Sequence, residues 1–423
     1  MKQCENTITR FLSPIYFFGV GTSVSNVVAD SLCFLGSFKY TDFLFVPLFA
    51  CVCLQIDFPS TVYHLMKCHK YKVLWFAILL LWCLVSVLSN IPGSTDSAII
   101  QILRLYYYFL LTFVVAYIAQ NVIEPQSIMK YISLGTISVC LLTNYLILME
   151  KGGTYIQIAE TGQTILKLGS ELGANPISTY CALVFPLCVV WASYSKGYIE
   201  RIFWLHSAAL LAWTTLIAES KMAWLSMTAS LILVFFYTRT HYSKNILLVA
   251  TCGILLVFCN IDYIQSIVTR ELTGSYENTD QRFVMLQEAL VYILSNPFSG
   301  IGLSNYVHVS PRGYEPHSAI ALVSAELGIP GGVAFVFLLI ACLFTNRKNA
   351  SPGYLFAADM LLRPFFLSSL IISIATGLIF SQTILWVFIG LVLANTRVFH
   401  EKKNYKLMIG PTKSLRTSWI HYK

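Results

Sequence analysis

The stretch His317-Ser-Ala-Ile-Ala-Leu-Val-Ser-Ala-Glu-Leu-Gly-Ile-Pro-Gly331 decides how the chain is read. A histidine stands just before an apolar run, and a Gly-Ile-Pro-Gly-Gly break interrupts that run after ten residues. In a very apolar chain such a histidine marks either a polar site at a membrane surface or an ordinary helix start. The surrounding composition has to choose.

Of the 423 residues 57% are hydrophobic and 11% charged, against roughly a quarter charged in soluble domains. So few charges cannot solvate that much apolar surface, and a polytopic, all-α integral membrane protein is the class that fits. Apolar runs able to cross ~30 Å of hydrocarbon fall at 13–37, 41–58, 73–91, 98–119, 131–149, 177–194, 202–218, 222–237, 246–262, 326–345, 362–377 and 379–396, twelve expected spans in a single multi-pass domain, 1–423. Placing both termini in the cytoplasm puts most of the 28 basic residues on that side, including the basic tail 397–423, as the positive-inside rule requires. The net charge of +8 is thus an orientation signal and not a nucleic-acid patch.

Of the twelve cysteines all but Cys4 and Cys68 lie in apolar runs, where they read as small packing residues. Cys51-Val-Cys53 has no second pair to complete a metal site, so no metal is expected.

Two segments on the outer side are too long for turns. One covers 150–176; the other, 263–316 between the ninth and tenth runs, is the expected large loop. Within it Thr279-Asp280 can cap a helix, and Phe283, Leu286, Leu290 and Ile293 recur at helical spacing, as in an amphipathic helix lying on the outer leaflet. Asn296-Pro-Phe-Ser-Gly-Ile-Gly302 ends that helix with turn-forming residues.

Only His308 and His317 of the eight histidines face outward, and histidine exchanges protons near neutral pH. Arg282, on the amphipathic helix, and Lys221, in the turn Ala218-Glu-Ser-Lys-Met222, suit a phosphate or diphosphate; arginine clamps it with paired donors and lysine meets it as a point charge. Each also has an ordinary reading: Lys221 as a snorkelling side chain, Arg282 as the ion-pair partner of Asp280 or Glu288, and His317 as part of a helix cap. Arg104 lies inside the fourth run, and an intramembrane arginine is either a site residue or one that snorkels outward. Glu326, nine residues beyond His317, reads as a structural hydrogen-bonding group.

His317-Ser318, nine residues, then Gly328-Ile-Pro-Gly331 matches the H-[NSQ]-x9-G-x-x-G pattern of the bacterial O-antigen ligase family. Thr279-Asp-Gln-Arg282-Phe with Asn296-Pro-Phe-Ser-Gly-Ile-Gly302, Asn175-Pro176 before a span, and Ser220-Lys221 at an outer helix end also resemble that family, chiefly over 170–345. The resemblance implies a GT-C-like, metal-independent membrane glycosyltransferase without cofactor in the bacterial inner (cytoplasmic) membrane, its active site facing the periplasm. Its donor is an undecaprenyl-diphosphate-linked glycan. A ligase transfers the polysaccharide to lipid A-core, whereas an O-antigen or exopolysaccharide polymerase joins lipid-linked repeat units. By position, His317 and Arg282 become catalytic, with Arg282, Lys221 and Arg104 binding the diphosphate. Lys221 stands where the family commonly has arginine, which keeps the charge but loses the fork. A transporter or flippase is the remaining alternative; it would place its charges near the bilayer midplane and often show inverted repeats, neither of which is seen in this sequence.

Overall fold

The computed structural model describes residues 2–23, 40–89, 95–149, 153–157, 164–168, 174–195, 197–218, 220–238, 276–313, 315–344, 361–375 and 383–394. Run 246–262, the second half of the first run (24–37), residues 263–275 of the long loop and the tail 397–423 lie outside the described residues. In order the elements are α1 Lys2–Thr22, α2 Tyr40–Cys53, α3 Phe58–Cys68, α4 Lys70–Ser89, α5 Thr95–Asn121, α6 Pro125–Leu148, strands β1 Gly153–Gln157 and β2 Thr164–Leu168, α7 Ala174–Tyr194, α8 Tyr198–Ile217, α9 Lys221–Thr238, α10 Tyr276–Ser295, α11 Tyr306–Val309, α12 Ala319–Leu343, α13 Arg363–Ala375 and α14 Thr383–Leu393.

Five of these are long and apolar enough to cross a bilayer: Lys70–Ser89, Ile102–Asn121, Pro125–Leu148, Pro176–Tyr194 and Ala319–Leu343. The protein is a multi-pass membrane protein. The fold is all-α as expected, with one short hairpin among the described residues, in which β1 and β2 pair antiparallel, Gly153 opposite Leu168 and Gln157 opposite Thr164; Thr154, Tyr155, Ile156, Thr164 and Ile165 are strand-forming types. Two expectations are corrected. Run 41–58 is no straight span, since α2 gives way to α3 at 98°. Pro59 in the first turn of α3 is a start signal, free of the N–H that a continuing helix would use. Finally, α10 begins at Tyr276, ahead of the cap expected at Thr279-Asp280.

Span α7 is the most enclosed and packs on α6, α8, α9 and α13. Buried Cys83, Cys140, Cys181, Cys188 and Cys342 are free thiols among apolar neighbours, in the packing role expected of them.

Two helix pairs set the level of everything at the functional end. α4 and α12 run antiparallel: Trp75 stacks on Phe337 at 4.8 Å, and eleven residues further on the Ser86 hydroxyl donates to the Glu326 carbonyl at 2.6 Å. α9 and α13 are also antiparallel, with Ser230 Oγ donating to the Pro364 carbonyl at 3.1 Å and Ser368 Oγ to that of Ser226 at 3.5 Å. Extending this second register puts Lys221 opposite Ser373.

The Gly-Ile-Pro-Gly break has a backbone logic. Pro330 lacks an N–H, so the Glu326 carbonyl loses its helical donor. It accepts instead from Ser86 Oγ and from the Gly302 N–H at 3.2 Å. Gly328 leaves the helical region (φ 76°, ψ 175°), and the freed Ile329 N–H donates to the Pro297 carbonyl at 2.8 Å. The Ala325 carbonyl, deprived of Ile329, takes the Ile301 N–H at 2.9 Å. The Ala325 and Glu326 carbonyls and the Ile329 N–H are thus each bonded to 297–302, as burial demands. A Cβ on Gly300 would sit 2.2 Å from the Glu326 oxygen, and one on Gly328 2.3 Å from that of Phe298.

Gly300→Ala and Gly328→Ala should therefore each destabilise the fold, by about 1–3 kcal/mol from the positive φ alone and more from the clash. Gly197→Ala, with nothing within 4 Å of the new methyl, is the control. Thermal unfolding in detergent should show a lower midpoint for the first two only.

Candidate functional site at the start of the broken helix

Ser318 caps α12: its hydroxyl accepts from the Ala321 N–H at 3.2 Å, the arrangement Ser favours at this position. The same oxygen donates to the Ser373 carbonyl at 3.4 Å, which pins the helix start to the last turn of α13. His317, one residue earlier, is left exposed.

Arg282 is brought to it. Although His317 retains solvent contact, its surroundings hold its pKa below the ordinary value, through burial first and the Arg282 charge second. An imidazole beside a guanidinium stays neutral, and neutral imidazole is the form that accepts a proton. Lys221 joins from the other side. It lies opposite Ser373 in the α9/α13 register, and Ser373 is the residue that receives the Ser318 hydrogen bond. Arg282 is thus set beside His317, and Lys221 lies at the same end of the bundle.

Arg104 is placed differently. Its charge acts on Tyr108, in a cluster of tyrosines where Tyr16 OH lies 3.2 Å from Tyr107 OH and Ser23 Oγ 3.5 Å from Tyr180 OH.

The ordinary reading of Arg282 as a partner of Glu288 does not hold. Glu288 accepts from Arg312 Nε at 3.3 Å and from Ser310 Oγ at 3.3 Å. Tyr292 OH donates to the Val309 carbonyl at 2.9 Å, and Tyr306 OH to that of Met285 at 3.1 Å. These bonds strap 303–313 across α10 and leave Arg282 at its far end.

Glu326 is structural, as its place in the sequence suggests. Its carboxylate accepts the Tyr306 N–H at 3.2 Å and that of Ser304, beneath a residue forced to φ 63°. Glu315 is the group that sequence reasoning passed over. Two residues before His317, it keeps solvent contact, yet desolvation pushes its carboxyl pKa above the usual range. A carboxyl so close to the motif histidine was the available signal. Among the described residues no three His, Cys, Asp or Glu side chains converge as a metal site.

With this geometry in view, the comparison with known families is specific. The family model described as O-antigen ligase matches residues 206–336, an interval that contains Lys221, Arg282, His317 and the broken helix. The resemblance to the O-antigen ligase family is borne out, and with it a glycosyltransferase-like membrane enzyme. No curated protein matches the chain.

Two outcomes follow. Glu326→Leu strands the Ser304 and Tyr306 N–H groups, at about 1–3 kcal/mol each, whereas Glu326→Gln keeps an acceptor and should unfold nearer to wild type; thermal melts would show the difference. If His317 acts as the neutral base, single-turnover rates fall as pH drops through its lowered pKa. Residual activity in Arg282→Gln should show that acid limb moved to higher pH, since the depressing charge is gone, and Arg282→Lys should move it little.

Proposed function

We propose that the chain is an O-antigen ligase of the bacterial inner membrane, which moves a polysaccharide from undecaprenyl diphosphate to lipid A-core on the periplasmic side. What carries this reading is the neutral-leaning His317 with the Arg282 charge beside it, both within the matched interval.

A lipid diphosphate is already a competent leaving group, so the enzyme needs a positioned nucleophile and charge stabilisation rather than a cofactor. An acceptor hydroxyl oxygen attacks the anomeric carbon of the donor's first sugar as His317 takes its proton. The carbon–oxygen bond to the diphosphate breaks, and the electron pair departs on the phosphate oxygen. Arg282, through its paired donors, and Lys221, as a point charge, offset the charge that develops there. No metal takes part in this scheme.

A deletion strain separates the two members of the class. Loss of all O-antigen from lipid A-core supports the ligase, and core bearing one repeat identifies a polymerase. In vitro, with a defined lipid-linked donor, His317→Ala and Arg282→Ala should lower transfer by at least about a hundredfold without loss of membrane insertion. Lys221→Arg should stay active, and a chelator should leave the rate unchanged. Full activity in either alanine variant removes that residue from the scheme.

A further inference from the structure

α10 has two faces of unlike fate. Met285 and Ala289 are buried, and Tyr292 packs against Tyr306, which fixes the helix against the first part of α12. On the other face Phe283, Leu286, Leu290 and Leu294 form one stripe at helical spacing, continued by Phe298 beyond the helix; Phe283 is 60% exposed, Leu294 68% and Phe298 75%. α10 is not among the helices apolar enough to span a membrane, yet this stripe is as apolar as a lipid-facing one.

Its depth follows from the bonds at its two ends. Arg282 acts on His317, and Pro297 is bonded to Ile329, so α10 runs alongside α12 in the same direction instead of lying flat. His317 precedes Glu326 by nine residues, and Glu326 is level with Ser86, three residues short of the end of α4. At ~1.5 Å per residue His317 stands beyond the end of that span. The Phe298 carbonyl, in contrast, accepts from Trp82 Nε1 at 2.6 Å. Trp82 is seven residues before the end of α4, or roughly 10 Å inside it. The stripe therefore descends from the cationic end of the site into the hydrocarbon zone, and Trp82 joins it to the lipid-facing surface of α4, where Leu74, Leu81 and Leu88 are exposed. The α10 stripe begins at Phe283, next in sequence to Arg282.

We infer that this face of α10, from Phe283 to Phe298, seats the polyprenyl chain of the donor while Arg282 at its head meets the diphosphate. The inference rests on the lipid-diphosphate donor proposed above. A chain held along a fixed helix delivers its diphosphate at one height and one side of His317, and apolar burial supplies the hold.

The test compares two donors with the same glycan diphosphate, one on a full-length polyprenol and one on a short, water-soluble prenyl chain. With Leu286→Ser and Leu290→Ser combined, KM for the long-chain donor should rise about tenfold or more at unchanged kcat, while KM for the short-chain donor stays put. Leu81→Ser with Leu88→Ser, on the α4 stripe, should move neither. The inference is overturned if both donors shift together, which marks a leaflet anchor or a displaced Arg282; if neither shifts; or if the α4 pair raises KM equally. A second measurement is independent of transfer. Full-length polyprenyl diphosphate without glycan should raise the thermal midpoint of wild type but not of the α10 double variant, and inorganic diphosphate should not match it. A wild type unmoved by that lipid overturns the inference. Binding of the lipid without transfer of either donor counts instead against the ligase reading alone.

Discussion

Everything at the functional end of this protein depends on one missing hydrogen. Because the Pro330 nitrogen carries none, the helix that begins at Ser318 cannot close its turn at Glu326, and the released backbone groups must find partners in a buried setting. The loop 297–302 supplies them through three backbone bonds, with glycine at the two points where a side chain would block the approach. Since that loop is the continuation of α10, the break also fixes where α10 ends. Arg282 reaches His317 because Pro297 is held at Ile329.

The same construction explains how a guanidinium and an imidazole coexist. Arg282 is close enough to lower the pKa of His317, which favours the neutral imidazole, and its guanidinium carries paired donors. Glu288, on the same helix, is bonded instead to Arg312 and Ser310. The strap over α10 thus has an electrostatic consequence as well as a structural one. Lys221 is placed through a separate register, the serine contacts between α9 and α13.

How much of this was legible in the sequence differs from residue to residue. The motif spacing from His317 to Gly331 located the helix start and its break, because a proline and glycines act on the backbone wherever they stand. Glu326 was legible as a hydrogen-bonding group, since a carboxylate within an apolar run has few other tolerable fates. Hydropathy located the five long spans but carried the run 41–58 past Cys53, where the helix ends, to Phe58, where the next one starts. The direction of α10 was not legible. Its periodicity announces two faces, but which one is covered depends on Met285, Ala289 and Tyr292 meeting residues distant in the chain. Ser86 and Trp82 carry no local signal at all. Their role lies in reaching carbonyls 240 and 216 residues away, a matter of register between spans.

A broken span solves a problem of depth that an unbroken one does not. A lipid-linked diphosphate presents its charge at the membrane boundary and its chain below it, so a site built for it needs polar groups and an apolar surface stacked along the membrane normal and held in register. A continuous helix satisfies its own backbone and offers a neighbour only side chains, whose contacts tolerate sliding. The interrupted helix instead offers directional carbonyl and N–H partners at fixed heights, and the loop that satisfies them cannot slide by a residue without leaving donors unpaired. The vertical distance between Arg282 and Phe298 is thereby set by backbone bonds, and that rigidity makes the position of the Arg282 charge relative to His317 a property of the fold.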